Sequence, residues 1–183
     1  MKFFAIQLNY AGLEVPRLQK WEENVKFQKM FDTTGFLKNE KVIMKIKSGN
    51  IFCPDILTEP VFMVSNVVKK ILEKFEPNLL WREIVFNGSN VNMNKSLYFA
   101  PKLFEITAEK EYLAEKNRLN KKKQLMVKQD SIRDKAIFRL RENTQSYVVM
   151  RLDLIEMLLR REVLQDGLVE VAFVEECKIE EWR

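Results

Sequence analysis

The sequence feature that most constrains the fold is a change of apolar spacing within residues 61–78, VFMVSNVVKKILEKFEPN. It begins with an unbroken apolar run at 61–64, which is typical of a buried strand. Five apolar residues then recur at the spacing of one helix face: Val67, Val68, Ile71, Leu72 and Phe75. Ser65 or Asn66 suits the N-cap, because its side-chain oxygen can accept from a free amide of the first turn. The stretch predicts a strand, a cap and an amphipathic helix, and a second strand follows at 80–86.

A second strand–helix–strand unit is predicted later in the chain. Residues 147–150 favour a strand through their β-branched side chains. Asp153 then suits the N-cap, and Glu156 stands three residues further on, which is the spacing of a capping box. Four apolar residues repeat the first helix face at a constant offset of 87 positions: Leu154, Ile155, Leu158 and Leu159. Gly167 is expected to end this helix, and 168–174 to form a strand.

The strand and helix patterns together indicate the fold class. Further strands are predicted at 2–8, 42–46, 97–99, 103–104 and 136–140. We expect an α+β fold, or a mixed α/β one, with a few helices packed on a mixed or mainly antiparallel sheet. A chain of 183 residues is long enough for one core, so we expect a single domain over 1–183. Its predicted parts are N-terminal strands with an irregular segment at 1–50, a core at 51–175, and a charged loop or short helix at 107–123.

Several catalytic chemistries are excluded by the residue types that are missing. The chain has no histidine, two cysteines and five glycines. Ser–His–Asp and Cys–His catalysis and any His-bearing zinc site are therefore excluded, and two cysteines cannot form a four-thiolate site. None of the glycines forms a nucleotide-binding motif. We predict that the protein is not an enzyme and binds no cofactor.

One pair of carboxylates keeps a different hypothesis open. Asp55 and Glu59 lie close together in PDILTEP, and a metal-dependent enzyme could use converging carboxylates there. Punctuation of a turn by Pro54 and Asp55 is the better interpretation, because 26 acidic residues bring such pairs together by chance.

The sequence also bears on where the protein is located. No apolar run approaches the roughly 18–20 residues that span a bilayer. The apolar run at 3–6 is shorter than the hydrophobic region of a signal peptide, about 7–15 residues. We therefore expect a cytoplasmic protein without a membrane partner.

Positive charge is concentrated in one part of the chain. Residues 110–141 hold eleven Lys and Arg residues against four Asp and Glu residues, in a chain of net charge +5. The peak is Lys121, Lys122 and Lys123, with Arg118 close by. This segment could bind nucleic acid or an acidic protein. A solvated loop is the favoured interpretation, since no recognisable nucleic-acid-binding module accompanies the charge.

Large side chains of the kind found at interface hot spots are the other candidate contacts. Trp81 and Arg82 stand side by side, and strand alternation places Trp81, Glu83 and Val85 on one face and Arg82 on the other. Trp182 is expected to dock on the fold or on a partner. The candidate partner-binding residues are Trp81, Arg82, Arg118, Lys121, Lys122, Lys123 and Trp182.

Four features occur together over residues 52 to 175: a Ser-headed helix after an apolar strand, an aromatic-rich middle, an I-F-R strand and a closing strand–helix–Gly–strand unit. They lie at Ser65, at Tyr98 and Phe99 with Pro101, at Ile137, Phe138 and Arg139, and at Gly167 with Phe173. Together they resemble a family of bacterial immunity proteins from polymorphic toxin systems, formerly a domain of unknown function. The family's patterns are Y-x-x-x-P and I/V-F-R, and in this sequence the proline stands one residue closer to the tyrosine.

The resemblance implies an α+β protein that neutralises a cognate toxin by direct binding, without catalysis. The alternative function is that of a nucleic-acid-associated protein that uses the basic segment 110–141. Many inhibitors of nuclease toxins are acidic, whereas this chain has a pI near 9.1. An inhibitor of this charge is expected to bind an acidic toxin or one that is not a nuclease, or to use a surface away from 110–141. The sequence leaves the oligomeric state open.

Overall fold

The computed structural model describes residues 2–6, 41–45, 53–58, 61–87, 96–107, 132, 134–142 and 145–163. The predicted α+β class is confirmed. The helices with described bounds are α1 (Asn66–Phe75) and α2 (Leu152–Leu159). The described strands are β1 (Phe3–Ile6), β2 (Val42–Lys45), β3 (Ile56–Leu57), β4 (Met63–Val64), β5 (Trp81–Asn87), β6 (Leu97–Pro101), β7 (Glu105–Thr107), β8 (Ile137–Glu142) and β9 (Gln145–Arg151).

The described strands form two sheets, whereas the sequence predicted one. Two compact units contain them: the first is Met1–Gln7, Leu103–Glu156 and Leu168–Arg183, and the second is Leu8–Lys102 and Met157–Gly167. That residues 1–183 form a single domain remains a prediction. The predicted elements at 107–123 and 168–174 lie outside the described residues, except for Thr107 at the end of β7.

The first unit contains a four-stranded sheet in the order β1-β9-β8-β7. Only the β7–β8 pair is parallel among these strands. Phe138 of β8 stands opposite Val149 of β9, and its ring meets that of Phe3 edge to face at 5.7 Å between centroids. The buried cluster on this face consists of Ala5, Ile132, Phe138, Leu140 and Val149.

The second unit contains a five-stranded sheet in the order β2-β5-β6-β4-β3. Its β2–β5 pair is parallel and the other pairs are antiparallel. Strands β4 and β5 both run antiparallel to β6, so they run parallel to each other on either side of it, and α1 connects them. The buried cluster on one face consists of Val42, Met44, Leu57, Met63, Ile84, Phe86, Tyr98 and Ala100.

The region around Pro101 differs from the prediction. Leu103 and Phe104 lie between strands, and the next strand, β7, begins at Glu105. Pro101 is the last residue of β6, opposite Trp81, rather than a break between two strands. A proline is tolerated there because the end of a strand can lack one donor of the ladder.

Helix α1 begins at the predicted cap. The backbone of Ser65 is extended, and its Oγ accepts from the amide of Val68 at 3.5 Å. The predicted apolar face is narrower in the structure: Val68, Ile71 and Leu72 are buried, whereas Val67 is exposed and Phe75 half-buried. Because α1 packs on β4 and β6 with this stripe, Val67 lies at the edge of the contact.

Helix α2 departs further from its prediction. It begins at Leu152, so Asp153 lies in the first turn and is not the N-cap, and it ends at Leu159 rather than at Gly167. Leu154, Ile155 and Leu158 are buried, but Leu159 is exposed. The offset of 87 therefore repeats the apolar pattern without repeating the pattern of burial.

A backbone motif explains the early end of α2. The amide of Glu162 donates to the carbonyl of Leu159 at 3.0 Å, and that of Val163 donates to Leu158 at 3.3 Å. This bonding resembles a Schellman motif, in which the residue at C′ is left-handed and most often glycine. Here Glu162 takes that place with a φ of 55°.

Replacing Glu162 with glycine should stabilise the protein. A left-handed conformation costs a residue with a Cβ roughly 1–2 kcal/mol, and glycine avoids this cost. We expect Glu162→Gly to raise the free energy of unfolding by about 1 kcal/mol in urea denaturation. Glu162→Ala is the control, because alanine keeps the Cβ and should bring no such gain. An equal gain in both variants would assign the effect to the lost charge instead.

Asp153 gives the folded state a pH dependence. Nε and Nη2 of Arg151 donate to the two carboxylate oxygens of Asp153 at 2.7 and 2.9 Å. These hydrogen bonds hold the pKa of Asp153 below its ordinary value, burial opposes the shift, and the positive charge of Arg151 and the amide of Leu154 reinforce it. A carboxyl group with a lowered folded pKa stabilises the protein above its ordinary pKa. That contribution is lost as the pH falls through the lowered value.

Asp153→Asn should therefore lower the free energy of unfolding near neutral pH, and the difference from the native chain should shrink as the pH falls below about 4. Urea denaturation at a series of pH values measures this difference. In a chain that already carries Arg151→Met, Asp153→Asn should have little effect at any pH, because the partner is gone. A difference that stays constant down to low pH would contradict the assignment.

Candidate functional site

The structure describes two of the predicted partner-binding residues, Trp81 and Arg82 on β5. They face opposite sides of the sheet, as the alternation predicted. Arg82 is only 5% exposed, whereas Trp81 is half-buried on the other face. A partner reaches little of Arg82 in this conformation. Arg118, Lys121, Lys122, Lys123 and Trp182 lie outside the described residues.

An apolar row crosses three neighbouring strands on the Trp81 face. Ile43 of β2 stands opposite Val85 of β5, which stands opposite Leu97 of β6. Paired residues project to the same face, so the three side chains are neighbours. Ile43 is 68% exposed and Leu97 38%, and Val85 between them is half-buried. We call Ile43, Val85 and Leu97 the apolar row.

Helix α1 covers the other half of this face. It packs on β4 and β6, and Nζ of Lys69 lies 4.4 Å from the ring centroid of Phe99. Phe99 is opposite Glu83. Both lie on the same face as the apolar row, two residues along their strands from Leu97 and Val85. The Trp81 ring lies 5.7 Å from Nζ of Lys69 and therefore marks the border between the covered half and the open half. The buried Nε1 of Trp81 has no acceptor within the described part of the chain.

Charged groups lie at one margin of the apolar row. Glu83 and Phe99 are the next residues of β5 and β6 on this face, and Nζ of Lys41 lies 2.9 Å from Oε2 of Glu83. Nζ of Lys69, which lies over the Phe99 ring, is 3.5 Å from Oε1 of Glu73. The exposed apolar row is therefore bordered on this side by two ion pairs, and a polar border of this kind is also found at the rim of protein interfaces.

The basic segment 110–141 is described only in part. Its arginines on β8, Arg139 and Arg141, both contact the carboxylate of Glu105 on β7, at 3.3 and 2.9 Å. Glu105 therefore offsets part of the positive charge of these strands. The alternative of a nucleic-acid-binding surface stays a prediction, since the lysine peak lies outside the described residues.

The described residues form neither a metal-binding group nor a membrane-spanning helix. Within them, no three His, Cys, Asp or Glu side chains come together as a metal-binding group. The backbone carbonyl of Asp55 accepts from the amide of Ser65 at 2.8 Å, which ties the predicted turn to the start of α1. Across the same residues, no helix combines the length and apolarity needed to cross a bilayer.

Sequence reasoning missed the apolar row for a specific reason. The strand at 42–46 and the strand-like Leu97 were both predicted, but their pairing partners were not. One signal was available: in KVIMK, Lys41, Ile43 and Lys45 share one face, and two lysines indicate that this face meets solvent. Ile43 between them is then an exposed apolar residue.

No family model matches the chain, and no curated protein matches it significantly.

Proposed function

We propose that this chain is an immunity protein that binds a cognate bacterial toxin stoichiometrically and catalyses no reaction. The observation that carries the proposal is the apolar row, which exposes contiguous apolar surface on the open half of a sheet. Contiguous exposed apolar surface with a polar margin often marks a protein-binding site. The resemblance of residues 52 to 175 to immunity proteins supplies the class of partner.

The chemistry of the row suits binding rather than turnover. Ile43, Val85 and Leu97 offer no nucleophile, acid or base. Their removal from water by a partner would stabilise the complex. Trp81 at the border is a residue type that is enriched in hot spots. We propose that the complex forms in the cytoplasm of the cell that makes the toxin, where the inhibitor meets it before release.

Co-expression with the product of the neighbouring gene tests this function. We expect the tagged full-length chain to purify with that protein in a fixed ratio and to restore growth to cells that express it. A chain with Phe104→Ala, which changes an exposed side chain of the first unit, is the matched control and should protect equally well. If the chain formed no complex with that protein and gave no protection from its toxicity, the proposal would be contradicted.

A nucleic-acid titration separates the alternative. Binding through phosphates should weaken steeply as salt rises, because counterions are released on association. Under the immunity proposal, the purified chain shows no such binding to duplex or single-stranded nucleic acid at low salt.

A further inference from the structure

We draw no further inference here: the strongest candidate, the exposed apolar row of Ile43, Val85 and Leu97 on the five-stranded sheet, belongs to the site already described, and nothing among the described residues shows what covers it.

Discussion

Replacing Phe138 with alanine should lower the free energy of unfolding by about 3–5 kcal/mol. Phe138 is 1% exposed, stands opposite Val149 and contacts the ring of Phe3 edge to face. Alanine would lose the transfer free energy of the ring and leave a cavity among Ala5, Ile132 and the facing strand, which the sheet cannot close. Since whole domains are stable by about 5–15 kcal/mol, this loss is a large part of the total.

Phe104→Ala is the control for this prediction, because it removes the same side chain from a site that is 54% exposed. Its ring lies 5.8 Å from Nζ of Lys135, an exposed cation–π contact worth about 0.5–1 kcal/mol. Urea denaturation followed by circular dichroism measures both variants. Similar losses in the two would contradict the position of Phe138 in the core.

Replacing Leu72 with alanine should cost about 2–5 kcal/mol, whereas the same replacement at Leu159 should cost less than about 1 kcal/mol. The two leucines occupy equivalent positions of the repeated apolar pattern, 87 residues apart. Leu72 is fully buried, and Leu159 is 44% exposed. Because the deleted atoms are identical, the difference between the two costs measures burial alone.

A second pair of equivalent positions, in which the residue of α1 is exposed and that of α2 is buried, also tests the effect of burial. Val67 is exposed, and its counterpart Leu154 is fully buried, so Val67→Ala should cost little and Leu154→Ala about 2–5 kcal/mol. Urea denaturation of all four variants provides the comparison. Equal costs at Leu72 and Leu159 would mean that the apolar period, and not the tertiary contact, decides which face is buried.

Strand β5 shows which part of the candidate surface the sequence predicts. Alternation alone separated Trp81 from Arg82, because successive side chains of a strand point to opposite faces. It did not say which face is the core. Arg82 is buried because it shares a face with Ile84 and Phe86, which pack in the buried cluster with Tyr98. The hydroxyl of Tyr98 donates to the carbonyl of Pro54 at 2.6 Å.

The sequence by itself determined what depends on neighbours along the chain. The switch of apolar period predicted α1, and Ser65 caps it because the hydroxyl and the amide of Val68 are only three residues apart. The strand character of 42–46, 80–86, 136–140 and 147–150 also follows from local composition.

Only the tertiary structure decided what depends on pairing between distant segments. It divided the described strands between two sheets, gave Val67 and Leu72 different burial, and brought Ile43 beside Val85 and Leu97. The physical reason is that a strand's local pattern specifies two faces and two edges but not which strand pairs with which edge. The apolar row exists only because β5 lies between β2 and β6.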